Sequence, residues 1–432
     1  MIVYVALYRL AIAAYFMAIR MASLVSAKAQ LFVAGRAGLL GSIQQALAGD
    51  TRPRIWMHCA SLGEFEQGRP VLEGLRMQYP SHSFIVTFFS PSGYEVRKDY
   101  SGADHVFYLP MDSPANARRF LDIVQPSLCI FVKYELWYFY LKYIAARHIP
   151  ALLLSAIFSA DQGFFKWYGG LQRYMLRCFS HIFVQDAASV SLLGTIKITA
   201  VTLSGDTRFD RVIKAAERRE SLPALDSFTG GNKILVAGST WKEDEVMLHK
   251  ALQLLPPDWK LVLVPHEVNI EHLRQIEDLF AGNIIKWSQY PQHTAHTITG
   301  KREITERVLL VDKVGMLLDI YRYGRIAWVG GGFGKAGVHN VLEPAVYGLP
   351  CYYGPIYQQF LEARELIARG GAFSCSTPQS FAAAIMEMEA SHAHRQYADA
   401  AQSYVHFRSG ATDIVISHIE NQQLLPRPKA TA

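Results

Sequence analysis

Several features are scarce in this sequence, and each scarcity excludes a class of protein. Only 19% of its 432 residues are charged while 50% are hydrophobic, which excludes a disordered chain. No dense Lys/Arg run interleaved with stacking aromatics and no nucleic-acid module is present, so we expect no nucleic-acid partner. Cysteines are few, far apart and mostly in apolar runs, and no His/Cys/Asp cluster has zinc-site spacing. We therefore predict reduced, buried thiols in a cytosolic protein, with neither disulfides nor metal. The cysteines are Cys59, Cys129, Cys178, Cys351 and Cys375.

The N-terminal segment lacks an uninterrupted apolar run of roughly 18 residues, which a simple transmembrane helix needs. Residues 2–25 are apolar and aromatic, but Arg9 and Arg20 interrupt them. An arginine at the bilayer centre costs about 2.5–3.5 kcal/mol, so we predict a membrane-associating helix over residues 1–30 that lies in the interface. A signal anchor and a helix packed on its own domain are the alternatives. We find no convincing cleavage site for a removable signal peptide.

The net charge of +6 and the isoelectric point near 8.9 fit an anionic partner, such as a membrane surface, a phosphorylated lipid or a nucleotide. A modest positive charge that only keeps the protein soluble is the alternative. Charge alone does not separate the two.

From Arg54 onward, short β-rich runs alternate with helical ones, which indicates parallel sheets covered by helices on both faces. The predicted strands of the first set are Arg54–Ala60, Ser83–Phe89, His105–Leu109, Ser127–Lys133, Ala151–Ser155, His181–Gln185 and Ala200–Ser204. Those of the second set are Lys233–Gly238, Lys260–Pro265, Asn283–Trp287, Arg307–Val311, Arg325–Gly330 and Pro350–Tyr353.

A polar stretch rich in glycine and proline, residues 217–231, separates the two sets of strands and reads as a linker. We therefore predict an α/β chain of two doubly wound, Rossmann-like domains that face each other across a cleft, with ligands beyond the carboxyl ends of the strands. The predicted divisions are 1–30 for the membrane-associating helix, 31–220 and 221–231 for the first domain and the linker, 232–425 for the second domain with the terminal helices, and 426–432 for a frayed tail.

The most informative stretch is Arg325–Phe360, which reads as strand, glycine loop and helix. Gly331 and Gly332 lie in the glycine loop, which lets the backbone approach a ligand closely. Asn340 can cap the following helix, and Glu343 in its first turn could accept the hydroxyls of a ribose. This pattern predicts a nucleotide or nucleotide-sugar site, and a tight connection between strand and helix is the alternative.

Other strand ends of the second set carry polar groups or open helices. Ser239 and Thr240 end one strand, with Glu243 three residues after Thr240 in a capping-box pattern. Pro265 and His266 end the next strand. The segment 314–316 opens a helix. In a parallel sheet these ends share one edge with the glycine loop, which favours a donor site there.

In the first set, Glu64 begins the helix after the first strand, where it is a candidate general base. The alternative is that Glu64 or Glu66 only caps that helix. Glu135 follows another strand, and Arg208 follows a turn at residues 205–206; the two could steady charge that passes between substrates, although a surface ion pair is the commoner situation.

Over nearly its full length the chain resembles the transferases of 3-deoxy-D-manno-octulosonic acid (Kdo), which move this sugar from its CMP-activated form onto a lipid A precursor. The most specific matches are Ser61–Glu64, Glu135–Trp137, Gly205–Asp210, Ser239–Thr240 and the GGGF loop through His339–Glu343.

The resemblance implies a GT-B-type glycosyltransferase at the cytoplasmic face of the bacterial inner membrane. It implies CMP-Kdo as donor, lipid A precursor as acceptor, no metal, and a single inverting displacement in lipopolysaccharide assembly. Glu64 matches the catalytic base, and Glu135 and Arg208 match positions of transition-state support. Beyond the Ser239–Thr240 match, the residues expected to contact CMP are Pro265, His266, Val314, Gly315, Met316, Asn340, Val341, Leu342 and Glu343.

The chain departs from the family pattern at several of these positions. The family usually has lysine at Arg208, Pro-Arg-His at 265–267, Gly-Glu at 315–316, Trp-Pro-Asn at 137–139 and Asn-Ala-Arg at 155–157. Lys242 or His266 is a candidate replacement for the missing arginine. Another GT-B enzyme that uses a UDP-sugar, a sugar epimerase of that architecture, and a non-catalytic lipid-binding protein on this scaffold are the alternative functions.

Overall fold

The computed structural model describes residues 2–217, 222–290 and 305–425, so the predicted tail at 426–432 lies outside the described residues. The chain divides into two compact units. Unit 1 consists of Met1–Arg211 and Ser409–Ala432, and unit 2 of Val212–Arg408. Each unit contains a seven-stranded sheet in which every pairing is parallel, which confirms the predicted α/β class.

Three helices precede the first strand: α1 (Ile2–Ala22), α2 (Ala27–Ala34) and α3 (Leu39–Ala46). By length and composition α1 could cross a membrane. One stripe of it packs on unit 1, because the hydroxyl of Tyr8 donates to Asp112 at 2.6 Å and the ring of Tyr15 stacks on Phe89. Other apolar side chains of α1 are exposed, including Leu10 and Met17. The predicted helix over 1–30 is thus two helices, of which the first combines packing with an apolar exposed face.

All seven strands predicted in the first set are present within one or two residues of their predicted ends. They are β1 (Arg54–Cys59), β2 (Ser83–Phe88), β3 (His105–Tyr108), β4 (Pro126–Val132), β5 (Ala151–Ala156), β6 (His181–Val184) and β7 (Val201–Leu203). The connecting helices are α4 (Leu62–Gln78), α5 (Pro91–Arg97), α6 (Pro114–Val124), α7 (Tyr138–Ala146), α8 (Gly170–Arg177), α9 (Ala187–Thr195) and α10 (Thr207–Ala216).

The first sheet has the strand order β3-β2-β1-β4-β5-β6-β7. Alternate residues of each strand enter separate cores on its two faces: Trp56 and Phe131 lie on one side, Met57 and Ile130 on the other. Burial on both faces explains why the strands read as continuous apolar runs. The described cysteines are free thiols, and four of the five are buried, as expected.

Unit 2 contains the six strands predicted in the second set and a short seventh, β14, that was not predicted. Its strands are β8 (Lys233–Thr240), β9 (Trp259–Pro265), β10 (Ile284–Lys286), β11 (Val308–Leu310), β12 (Ile326–Val329), β13 (Cys351–Tyr353) and β14 (Ala372–Ser374), in the order β10-β11-β9-β8-β12-β13-β14. Its helices are α11 (Pro223–Thr229), α12 (Lys242–Leu254), α13 (Ile270–Leu279), α14 (Leu317–Tyr321), α15 (Leu342–Ala345), α16 (Leu361–Ala368), α17 (Pro378–Ala390) and α18 (His394–Phe407).

Three of the predicted divisions differ from the structure: the linker, the end of the first domain and the end of the second. Within the predicted linker 221–231, α11 is an ordered helix whose Leu225 and Phe228 are fully buried in the core of unit 2. Polar residues dominate this stretch, so the sequence did not indicate a helix. Its two apolar residues, Leu225 and Phe228, are nevertheless spaced to lie on one helical face. In addition, the units divide after Arg211, inside α10.

The last helix, α19 (Ala411–Asn421), belongs to unit 1 rather than to the second domain. Its Val415 and Ile419 lie in the core with Leu72 of α4. The carboxylate of Asp210 accepts hydrogen bonds from the backbone N–H groups of Gly410 and Thr412 at the start of α19. The helices α4 and α19 are more than 300 residues apart in the chain, so the local sequence pattern did not indicate that they pack together.

Candidate functional site

The strand order of the first sheet reverses between β1 and β4, which lie side by side. In an open parallel sheet, ligands bind beyond the carboxyl ends of the strands at such a switch point. Glu64 follows β1 and Glu135 follows β4. The two predicted carboxylates are therefore brought to the expected position.

Glu64 lies in the first turn of α4, and its Oε2 accepts hydrogen bonds from the backbone N–H groups of Ala60 at 2.6 Å and Ser61 at 3.1 Å. It thus caps its helix, as the alternative interpretation held. Its Oε1 has no hydrogen-bond partner within the described part of the chain. Burial raises the pKa of Glu64 above 4.5, and the nearby charge of Glu135 raises it further. Capping orients this carboxylate and leaves one oxygen free to take a proton.

Two groups lie within hydrogen-bond distance of a single oxygen of Glu135. His58 Nε2 lies 3.0 Å from Glu135 Oε2, and the indole N–H of Trp137 donates to the same oxygen at 2.9 Å. His58 is fully buried, whereas the side chain of Glu135 is 13% exposed. The sequence motif named Glu135 and Trp137, but His58 was missed.

A chain of hydrogen bonds supports His58 from inside the sheet. The indole N–H of Trp56 donates to Thr87 Oγ1 at 2.8 Å, and Thr87 Oγ1 lies 2.9 Å from His58 Nδ1. With the His58 proton on Nε2, each group donates to the next and the last bond ends on Glu135. The available signal was a histidine at the next-to-last position of a buried strand, shortly before the candidate base Glu64.

Arg208, the predicted cation, lies in the first turn of α10 and forms an ion pair with Asp206 at 2.7 Å. Its ion pairs do not include Glu64 or Glu135. The preceding residue, Thr207, donates to the carbonyl of Gln67, one turn beyond Glu64 on α4. The start of α10 therefore lies at the same edge of the first sheet as Glu64, and the Arg208 guanidinium pairs with Asp206.

The second sheet has its switch point between β8 and β12, where Ser239 and the glycine loop follow the two strands. Gly331 has a φ of +91°, and a β-carbon on Gly332 would lie 2.5 Å from the backbone nitrogen of Gly354. The short distance at Gly332 shows that the glycine loop packs backbone against backbone, so a side chain does not fit there.

Asp244 fixes this loop and was not predicted. It is fully buried, and its carboxylate accepts hydrogen bonds from the N–H groups of Gly331 at 2.9 Å, Trp241 at 3.0 Å and the Trp328 indole at 3.0 Å. The predicted capping residue, Glu243, is exposed. The prediction placed the helix start one residue too early: α12 begins at Lys242, so its third residue is Asp244.

Thr240 does not present its hydroxyl to a ligand as predicted, because it is buried and donates to the carboxylate of Glu245 at 3.0 Å. Ser239 is partly exposed and has a φ of +54°, a strained value for a residue that is not glycine. Of the two predicted hydroxyls, only that of Ser239 remains accessible.

Three rings stack beside the glycine loop. The ring of His266 lies 4.7 Å from that of Trp241 and 4.5 Å from that of His339. The indole N–H of Trp241 donates to His339 Nε2 at 2.8 Å, and burial lowers the pKa of His339 to about 4. Pro265 next to His266 is buried. His266 is therefore the exposed polar group at this strand end, and His339 is neutral near pH 7.

Asn340 accepts a hydrogen bond from the N–H of Leu342 at 3.1 Å and donates to Glu343 at 3.0 Å. It therefore binds the first N–H of α15 from one position before the N-cap, which is Val341 and not Asn340 as predicted. This helix has a single turn. The side chains of Val341 and Leu342 are fully buried, so only their backbone groups could reach a donor. Residues 314–316 precede α14 as predicted, with Val314 76% exposed and Gly315 at a φ of +88°.

Comparisons with known proteins bear on the family to which the chain belongs. The sequence profile of the family described as "3-Deoxy-D-manno-octulosonic-acid transferase (kdotransferase)" matches residues 34–211. A 3-deoxy-D-manno-octulosonic acid transferase from Haemophilus influenzae is 30% identical over 313 residues, 69% of this chain and 70% of that protein. Its counterpart from Aquifex aeolicus is 27% identical over 322 residues, 74% of this chain and 80% of that protein.

A solved structure of UDP-GlcNAc 2-epimerase from Neisseria meningitidis, bound to UDP-GlcNAc, superimposes with a TM-score of 0.58 at 14% identity. The match covers 85% of this chain and 100% of that one, and it shows a shared GT-B-type fold. The extent and level of the sequence matches identify the family more narrowly: the chain belongs to the 3-deoxy-D-manno-octulosonic acid transferases, which are glycosyltransferases.

Proposed function

We propose that this protein transfers Kdo from CMP-Kdo to a lipid A precursor with inversion at the anomeric carbon. The observation that carries the proposal is Glu64, a carboxylate at the switch point of the first sheet with one oxygen free and a raised pKa. A carboxylate whose pKa is raised in this way takes a proton more readily than an ordinary glutamate.

In the proposed step, Glu64 takes the proton of an acceptor hydroxyl while that oxygen attacks the anomeric carbon of Kdo. The new C–O bond forms as the bond between this carbon and the CMP phosphate oxygen breaks, and CMP leaves with the electron pair. Glu135 holds charge close to Glu64, and we retain Arg208 as the proposed cation for transition-state support. We also propose that the reaction proceeds without a metal, so chelators should leave its rate unchanged.

The donor would lie at the switch point of the second sheet. The proposed contacts are the backbone of the glycine loop and of Val341 and Leu342, the hydroxyl of Ser239, the ring of His266 and the carboxylate of Glu343. Thr240 is not among them, since Glu245 occupies its hydroxyl. The segment 314–316, which is partly exposed, completes the proposed set.

We propose that the protein works at the cytoplasmic face of the bacterial inner membrane, with α1 as its main membrane contact. The length, apolar composition and exposed apolar side chains of α1 support this. Flotation with liposomes, with and without residues 1–26, tests it: unchanged flotation of the shortened chain would assign membrane binding to other surfaces.

The direct test is an assay with CMP-Kdo and a tetra-acylated lipid A precursor, in which the sugars added are counted by mass spectrometry. Calorimetry with CMP and UDP distinguishes the proposed enzyme from one that uses a UDP-sugar, because we expect CMP to bind and UDP not to bind. Binding of the lipid without any transfer would instead support a non-catalytic lipid-binding protein.

A further inference from the structure

A cavity of about 590 Å³ in unit 1 lies apart from the carboxylates described above. It is lined by residues from α1, the α2–α3 connection, the start of α3, the segment before α6, and α6. The apolar side chains are Phe16, Leu39, Leu40, Pro110 and Met111, and the polar ones are Arg36, Asn116 and Arg119. No acidic residue lines it.

Arg36 is a partly buried cation that has no acidic partner among the residues that the structure describes. Its Nε, Nη1 and Nη2 each donate to a backbone carbonyl, those of Leu109 at 3.0 Å, Phe32 at 3.1 Å and Phe89 at 2.7 Å. A guanidinium has five N–H groups, so two of them have no acceptor within residues 2–217, 222–290 and 305–425. The charge is therefore fixed in place beside the cavity but is not neutralised.

Burial lowers the pKa of Arg36 to about 10, so it stays charged near pH 7. Its guanidinium carbon lies 3.7 Å from the centre of the Phe32 ring, a stacking contact that fixes its orientation. A planar, always charged fork that is already oriented suits the oxygens of a phosphate.

One further cation, Arg119, lines the cavity, and another, Arg20, lies over the ring of the lining residue Phe16. Arg119 is exposed on α6, and no ion pair is found for it among the described residues. Arg20 of α1 lies over the ring of Phe16, 5.6 Å from its centre. The cavity thus combines concentrated positive charge with an apolar wall, which is complementary to an anionic amphiphile and not to a purely polar anion or a neutral lipid.

The apolar wall continues into the exposed apolar surface of α1, since Phe16 belongs to that helix. Leu10, Met17 and Met21 of α1 are 59–67% exposed. We propose that the cavity binds the phosphate-bearing headgroup of an anionic membrane lipid, with Arg36 and Arg119 at the phosphate and Phe16, Leu39 and Leu40 along the adjoining chain. This inference concerns lipid binding alone and holds whether or not the protein transfers Kdo.

The test uses Arg119, because a change at Arg36 would also break three bonds that tie the surrounding loops together. Arg119→Gln removes a charge from the cavity. Arg118→Gln, at the neighbouring exposed position of α6, removes the same charge outside the cavity lining and is the matched control. The full chain in neutral detergent is titrated with short-chain phosphatidylglycerol, short-chain phosphatidylcholine and glycerol 3-phosphate, and bound molecules are counted by native mass spectrometry.

We expect one phosphatidylglycerol per wild-type chain, with affinity lowered about tenfold by Arg119→Gln, since this change removes a charge-assisted contact to the phosphate. We expect a smaller effect from Arg118→Gln. Phosphatidylcholine and glycerol 3-phosphate should bind at least tenfold more weakly. The proposal would be overturned if both variants lost the same affinity for phosphatidylglycerol, or if Arg119→Gln lost none. It would also be overturned if phosphatidylcholine or glycerol 3-phosphate bound as tightly as phosphatidylglycerol. Because no sugar donor is present, failure of the transfer assay does not bear on this result.

Discussion

His58 Nε2 and Glu135 Oε2 lie 3.0 Å apart although 77 residues separate them in the chain. The pair joins the ends of two adjacent strands, β1 and β4, at the switch point of the first sheet. His58 itself is fully buried and is supported from behind by Thr87. We infer that His58 is a positioning residue: it holds one oxygen of Glu135 and thereby sets where the charge beside Glu64 lies.

His58→Gln should lower kcat about 10- to 100-fold with a smaller effect on the KM for CMP-Kdo. A lost hydrogen bond to a charged group is worth about 1.5–3 kcal/mol, and each 1.36 kcal/mol is tenfold in rate. His82→Gln is the matched control, because His82 is also buried in unit 1 and its ring nitrogens have no hydrogen-bond partner among the described residues. A similar loss of kcat in both variants would show that His58 contributes only to packing.

The pH dependence of the reaction follows from the raised pKa of Glu64. A general base acts only when ionised, so kcat/KM should rise with pH through a pKa above 4.5 and then level off. Glu135→Gln removes a charge that raises this pKa, and the acid limb should therefore move to lower pH. Glu73→Gln, further along the same helix where Glu73 pairs with Arg69, should leave the limb in place. An acid limb that stays or moves upward in Glu135→Gln would contradict this account.

Replacing Asp244 and Glu243 in turn tests which of these two carboxylates caps α12. Asp244→Asn should lower the free energy of unfolding by about 1–3 kcal/mol and weaken CMP binding, because three donors lose their charged acceptor. Glu243→Gln, at the exposed neighbouring position, should change stability by less than about 0.5 kcal/mol. Urea unfolding and calorimetry with CMP measure both quantities. Equal stabilities of the two variants would refute the assignment of Asp244.

The glycine loop offers a second matched pair. A β-carbon on Gly332 would lie 2.5 Å from the nitrogen of Gly354, whereas one on Gly334 would approach nothing closer than 3.7 Å. Gly332→Ala should force the two backbones apart, cost about 1–3 kcal/mol of stability and reduce CMP affinity. Gly334→Ala should be tolerated on both measures. Wild-type CMP affinity in Gly332→Ala would show that the close packing of this loop does not matter for the donor.

Much of the fold could be predicted because its strands are buried on both faces and bounded by glycine, proline and polar residues. The position of Glu64 could be predicted for a related reason: strand ends in a parallel sheet meet at one edge. The His58–Glu135 pair could not, since it depends on the register between β1 and β4, which no local pattern encodes. Asp244 was missed because β8 continues to Thr240 past an irregularity at Gly238, which moves the helix start.

The position of α19 could not be predicted either, because its packing partner, α4, lies at the other end of the chain. α11 was missed for a local reason. Its Leu225 and Phe228 are two apolar residues in a polar, glycine-containing stretch, too few to give a helical periodicity.

The central claim, that Glu64 is the general base, is tested most directly by Glu64→Gln. Glutamine keeps an oxygen that can accept the N–H groups of Ala60 and Ser61, so the start of α4 should remain folded. The measurement is Kdo transfer to the lipid A precursor, alongside calorimetry with CMP on the same preparation. We predict that transfer falls by at least about a hundredfold, within the range for loss of a general base, while CMP affinity is unchanged. Transfer at near the wild-type rate would contradict the account.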